Sequence, residues 1–247
     1  MTARADAPDG VINFRDTGGL PAADGVTRAG VLYRSANLAR LTTEGRAALG
    51  ALGVRRIVDL RSDDEVAWEP SLVEGLELDV VRVPLFLGSV ASFFDRDVTL
   101  AELYRSLIDD AGDRVVAAAR GVLAAQPALV HCTVGKDRTG VVVALMLAAV
   151  GVEVESVVAD YAATESSLPR ERNARILAAL RRAHPDARNL EELATRAPAE
   201  VMRALLAEVD ERHGSAADYL RAHGLAEAEL AALRRILIRP APEVRLA

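Results

Sequence analysis

The stretch PALVHCTVGKDRTGVVVALMLAAVG, Pro127 to Gly151, decides how the rest of the chain is read. Its first part, PALVHC, is a short aliphatic run of the kind that lies buried in a parallel sheet. Its last part, TGVVVALMLAAVG, is apolar on every side, as in a helix packed at the centre of a domain. Between them stand the scarcest residues of the sequence. Cys132 is the only cysteine and Lys136 the only lysine, the other 29 of the 30 basic residues being arginines. A chain that writes arginine for every other positive charge departs from that habit once, which points to a local requirement.

Working outward, GVLYRS (30–35), RRIVDLR (55–61) and LDVVRVPLF (78–86) read as strands. TTEGRAALGALG (42–53) reads as a helix with a threonine start and a glycine stop, and 99–126 supplies one or two more helices. From Glu153 onward the pattern is helical. Strands alternating with helices predict an α/β fold with a mostly parallel central sheet flanked by helices and a largely helical C-terminal half. Ligands of such sheets sit beyond the carboxyl ends of the strands, where HCTVGKDRTG falls. No repeat, low-complexity tract or linker interrupts residues 1–247, which predicts a single domain. The chain is 51% hydrophobic with a net charge of -6, which argues against a general nucleic-acid binder but not against local phosphate recognition. One cysteine makes no internal disulfide, the N-terminus lacks an apolar signal region, and the longest apolar run (141–152) is shorter than the roughly 18 residues of a membrane span. The expectation is a cytoplasmic protein with no stable membrane insertion, export by a signal-independent route staying open. Oligomeric state is not legible.

A loop from a buried strand into a buried helix offers a curl of backbone N–H groups with the positive end of a helix behind it, an anion cradle. Here its N–H groups belong to Cys132, Thr133, Val134, Gly135, Lys136, Asp137 and Arg138. Gly135 allows the turn, and Arg138 can clamp two phosphate oxygens with its planar fork. A cysteine at the centre of such a field ionises well below the usual value of about 8.5. Cys132 is therefore placed to attack a bound phosphate ester, giving a phosphocysteine that water hydrolyses, with no metal and no cofactor. Asp137 is the nearest acid for the leaving group. Thr139 can hydrogen-bond the departing sulfur, His131 can hold the loop, and Lys136 can meet a second anionic group or the leaving-group side. A Walker-type reading of GKDRTG fails because Val130 stands where its leading glycine belongs and Asp137 where Ser or Thr belongs. A zinc site from His131 and Cys132 lacks a second pair of ligands.

HCTVGKDRTG resembles the Cys-x5-Arg signature of the cysteine-dependent phosphatases, in the form carried by the atypical bacterial tyrosine and lipid (phosphoinositide) phosphatases. NFRDTGGL, VLYRSANLARLTTEGRAAL, VDLRSDDEV, VVADYAATESSLP and GSAADYLRAHGL resemble further segments of that family, so the likeness covers most of the chain. It implies Cys132 as nucleophile, Arg138 as phosphate clamp, and Lys136 with Asp137 as the pair that sets this group apart from tyrosine-only enzymes. Relatives often take their general acid from another loop; here Asp95 and Asp97 stand as the other source, against Asp137. Some members cover the site with helices, a part open to residues 161–188.

Arg15, Asp16, Arg34, Asp59 and Arg61 either border the pocket or form an ion-pair network beneath it. The arginines between Arg170 and Arg182 read as a solvated face or as substrate or lid contacts, and Trp68 as a pocket wall or as packing. The activity expected is that of a phosphomonoesterase acting first on phosphotyrosine or broadly, with inorganic phosphate as product and phosphoinositides as the alternative substrate. A non-catalytic phosphate-binding adaptor and a thiol redox sensor are the readings from other classes, the latter without a resolving cysteine.

Overall fold

The protein was analysed as a computed structural model in which residues 7–85 and 96–241 are described. The central sheet contains β1 (Arg15–Asp16), β4 (Leu32–Ser35), β5 (Arg56–Asp59), β6 (Asp79–Arg82) and β7 (Ala128–His131) in the order β1-β4-β7-β5-β6. β4, β7, β5 and β6 run parallel, and β1 is antiparallel at the edge. β7 is central and wholly buried, which explains its unbroken apolar run. The register pairs His131 with Ser35 on one side and Asp59 on the other, so the chain leaves three neighbouring strands at one level. The loops that build the site start from that row.

Helices cover both faces. α1 (Thr43–Ala51) is capped by Thr42, whose hydroxyl accepts from the Gly45 N–H, and α2 (Asp63–Trp68) is opened by a Ser62/Glu65 capping box. α3 (Leu100–Asp110) begins with a Thr99/Glu102 box, and α4 (Gly112–Ala124) follows it. α5 (Asp137–Ala149) is buried from Arg138 to Leu147, as its all-round apolar sequence predicts. The helical C-terminal half contains α6 (Val154–Ser167), α7 (Arg170–Ala183), α8 (Leu190–Thr195), α9 (Ala199–His213), α10 (Ala216–Ala222) and α11 (Glu227–Leu237).

One part of that expectation is corrected. The chain ends its described part in a strand, β8 (Ile238–Pro240), which pairs with β3 (Gly25–Thr27), itself paired with β2 (Pro21–Ala22). A three-residue edge strand has no periodicity to read; only its pairing with a segment some 210 positions earlier defines it.

Candidate active site

Strand β7 carries the chain into the loop at Cys132, and α5 takes it up again at Asp137. Gly135 has φ +71°, and a Cβ there would stand 2.2 Å from the Ser35 carbonyl oxygen, so both conformation and space demand glycine. The loop carbonyls are held from outside. Asn13 Nδ2 donates to the carbonyls of Val134 and Gly135, each at 3.0 Å, and Arg34 Nη2 donates to that of Gly135 at 3.0 Å. Carbonyls tied outward leave N–H groups facing inward, and the Gly135 N–H donates to Cys132 Sγ at 3.3 Å. No side chain caps the start of α5, unlike α1, α2 and α3, so the first-turn N–H groups add to the same field.

Arg138 is fixed by a residue the sequence reading left without a role. Glu65 grips it bidentately, Oε2 to Nη1 and Oε1 to Nη2, both at 2.6 Å, and Glu65 Oε1 also accepts from the Thr133 hydroxyl. Burial pushes the Glu65 carboxyl up, but Arg138 outweighs burial and holds it down to about 2. Burial likewise works against the guanidinium, yet Glu65, the Cys132 sulfur and Asp137 move its pKa upward. In sequence Glu65 is simply the last residue of a Ser-x-x-Glu cap, a role it also fills.

Lys136 is enclosed beside Asp137. It is 1% exposed, and its Nζ lies 2.7 Å from Asp137 Oδ1. The same carboxylate oxygen accepts from the Tyr104 hydroxyl at 2.9 Å, and that hydroxyl meets the Tyr161 hydroxyl at 2.7 Å. Both tyrosines are fully buried, and burial, reinforced by Asp137, raises their pKa values, so they act as neutral donors. Asp137 thus reaches solvent partially, with Lys136 and a tyrosine pair behind it. Thr139 Oγ1 is buried and has no hydrogen-bond partner among the described residues; the sulfur accepts from the Gly135 N–H. His131 Nδ1 lies 3.1 Å from the Cys132 carbonyl, and burial lowers the pKa of its ring.

Of the two places open to Arg15, Asp16, Arg34, Asp59 and Arg61, four of the five occupy the network beneath the loop. Arg15, Arg34, Asp59 and Arg61 are all at least 98% buried, in ion pairs beneath the loop. Asp160 of α6 joins Arg15 (2.8 Å) and Arg34 (2.7 Å), and Arg15 passes on to Asn13 Oδ1. Burial raises the Asp160 carboxyl, but the two arginines prevail and lower it. Arg61 grips Asp59 through Nε and Nη2. Burial opposes ionisation of Asp59 as well, but His131 and Arg61 beside it outweigh burial and lower its pKa. Asp16 accepts from the Gly18 and Gly30 N–H groups, closing a turn instead of facing a ligand. Arginines this long reach the site only by running under it, a direction that sequence spacing does not carry.

Of the alternative acids, Asp95 lies outside the described residues. Asp97 is engaged elsewhere, accepting from the N–H groups of Arg188 and Asn189 at 2.7 and 2.9 Å. Trp68 is 87% exposed and does not pack in the core. Within 161–188, Tyr161 and Thr164 are core residues, whereas α7 has no buried residue. A cavity of about 470 Å³ separates α7 from the segment before β1 and the loop after β4 and touches Thr133. Among the described residues there is no group of three or more His, Cys, Asp or Glu that could hold a metal ion, and no helix is long and apolar enough to cross a membrane.

Strand, anion-cradling loop and uncapped helix, with a cysteine and an arginine at the two ends of a Cys-x5-Arg turn, define the class: a cysteine-dependent phosphatase. The family described as the tyrosine phosphatase family matches residues 7–239, and the chain belongs to it. The triple specificity protein phosphatase PtpB of Mycobacterium tuberculosis is 32% identical over 273 residues, covering 93% of this chain and 97% of that protein. A tyrosine-protein phosphatase of Nostoc commune is 31% identical over 217 residues, covering 83% and 74%. Among solved structures, P. aeruginosa TpbA is 21% identical, with 74% of this chain and 91% of that chain covered at a TM-score of 0.34.

Proposed function

We propose that the chain hydrolyses phosphomonoesters through a phosphocysteine formed on Cys132, with phosphotyrosine the first substrate and phosphoinositides the alternative. The observation that carries this reading is the Gly135 N–H aimed at Cys132 Sγ inside a loop whose carbonyls are tied outward. A field built to hold a dianion also favours the thiolate that attacks it. In the first step the sulfur bonds to phosphorus as the ester P–O bond breaks, Arg138 and the loop N–H groups hold the three non-bridging oxygens, and Asp137 delivers a proton to the departing oxygen. In the second, Asp137 takes a proton from water as the water oxygen attacks phosphorus, and the thiolate leaves toward the Gly135 N–H. Asp137 is the acid preferred here because it borders the loop and is partly open to solvent, while Asp97 is committed to Arg188 and Asn189. Lys136, buried against Asp137, acts on that carboxylate and not on a substrate. The covering element is α7, whose lack of buried residues and place across the cavity support movement over the loop.

The test is phosphate release, with chelator present, from a phosphotyrosine peptide, a phosphoserine peptide and a soluble phosphoinositide, comparing wild type with Cys132→Ser. Chelator-resistant turnover that the substitution abolishes is expected. Wild type that binds phosphate but turns over nothing would make the chain an adaptor.

A further inference from the structure

The cavity beside the loop is lined by three arginines from two separate segments: Arg40, after β4, and Arg172 and Arg175, on one face of α7. None of the three has an ion-pair partner among the described residues; Arg172 Nη1 donates to the Asn173 side-chain oxygen at 3.3 Å. The acids on the lining are fewer, Glu69 and Glu171, and Glu69 already accepts from the Asn37 amide at 2.8 Å. Arg172 is half-buried; burial lowers its pKa, Glu69 pulls it back up, and Arg40 and Arg175 push it down again. The cavity is continuous with the proposed catalytic loop. Thr133 belongs to both, and the backbone N–H of Asn37, another lining residue, donates to the Thr133 carbonyl at 3.2 Å. Guanidinium groups left unpaired in a concave site match the paired oxygens of a phosphate.

We propose that Arg40, Arg172 and Arg175 form a subsite for a second phosphate on the same peptide substrate whose first phosphate enters the Cys132 loop. The proposal rests on the reading of that loop as a phosphomonoester site. Because two of the three arginines sit on α7, a doubly phosphorylated substrate would also draw that helix toward the loop, coupling recognition to closure.

The test uses peptides with a non-hydrolysable phosphonate analogue of phosphotyrosine at one position. The second position, one to four residues away, carries phenylalanine, aspartate or a second phosphonate. Binding is read by fluorescence anisotropy for wild type and for the triple substitution Arg40→Gln, Arg172→Gln, Arg175→Gln, with thermal melting confirming that the variant folds. At the best spacing the doubly charged peptide should bind wild type about 10- to 100-fold tighter than the phenylalanine peptide, beyond the factor of about two from having two equivalent groups. The ratio should fall to about two in the variant and shrink as salt is raised. A ratio of two or less in wild type at every spacing, or one that survives the triple substitution, overturns the subsite. An aspartate peptide that binds as tightly as the bis-phosphonate overturns its assignment to phosphate. Turnover of the matching phosphotyrosine peptides is run alongside. Lost turnover with a retained ratio refutes the hydrolase reading alone, and normal turnover without a ratio refutes the subsite alone.

Discussion

Replacing Glu65 by glutamine separates the positioning of Arg138 from the rest of the site. Glutamine keeps the shape and can still serve the helix cap, but it removes the charge that grips the guanidinium at two points. The size follows from linkage. Glu65 is held at about 2 against an ordinary 4.5, which corresponds to an upper bound of about 3.4 kcal/mol at neutral pH. Its carboxyl is 20% exposed, and screening there reduces this to about 2 kcal/mol. For a chain of this length that predicts a melting temperature about 4–8 °C lower at pH 7. The sign is that of a depressed carboxylate: the stabilisation is complete above the unfolded value near 4.5 and disappears as pH falls toward 2. The gap between wild type and Glu65→Gln should therefore narrow as pH is lowered from 5 to 3. Turnover should fall by about 10- to 100-fold as the guanidinium loses its fixed orientation. The assay is calorimetric melting at pH 7, 5 and 3 with initial rates on a phosphotyrosine peptide. A variant that melts with wild type at pH 7 and keeps its rate would refute the assignment of Glu65 as the residue that orients Arg138.

Lys136→Arg should cost about 1–3 kcal/mol, read by urea denaturation, because a forked guanidinium must enter a slot in which the lysine is 1% exposed; an unchanged midpoint would show that the slot has room. Tyr104→Phe removes the hydroxyl that donates to Asp137. It should slow aryl phosphates with poor leaving groups about tenfold while sparing those with good ones, a contrast in kcat at similar KM that simple destabilisation would not produce. Asp160→Asn leaves Arg15 and Arg34 buried without their shared counter-charge and should cost about 3–5 kcal/mol. Melting about 6–20 °C lower is expected, and a change of under about 2 °C would deny the network its structural role.

Much of the fold was legible because it is written in local periodicity. The buried strand β7, the apolar α5 and the Thr42 start of α1 each follow from residues within a few positions of one another. The candidate loop was legible for a similar reason, since Cys132, Gly135 and Arg138 act through a turn that closes on itself. What lay outside the sequence reading is whatever depends on partners far along the chain. Glu65 looks like a helix cap until the β5–α2 connection brings it to Arg138, and Asp160 is one more acid on a helix until Arg15 and Arg34 arrive from the opposite end of the sequence. The arginines for which rim and network both stood open lie inward because the buried strands and helices around them leave a long side chain an ion pair below the loop as its satisfied position.

The lone lysine shows both sides of this division. By itself the sequence determined that position 136 differs from every other basic site, and that a strand, a phosphate-cradling turn and a buried helix surround it. Only the tertiary structure decided what the difference is for: a slender ammonium enclosed against Asp137, with Tyr104 and Tyr161 closing the other side. The physical reason is that backbone turns and periodic burial are set by neighbours in the chain, whereas burial of a charge is decided by which distant segments fold over it.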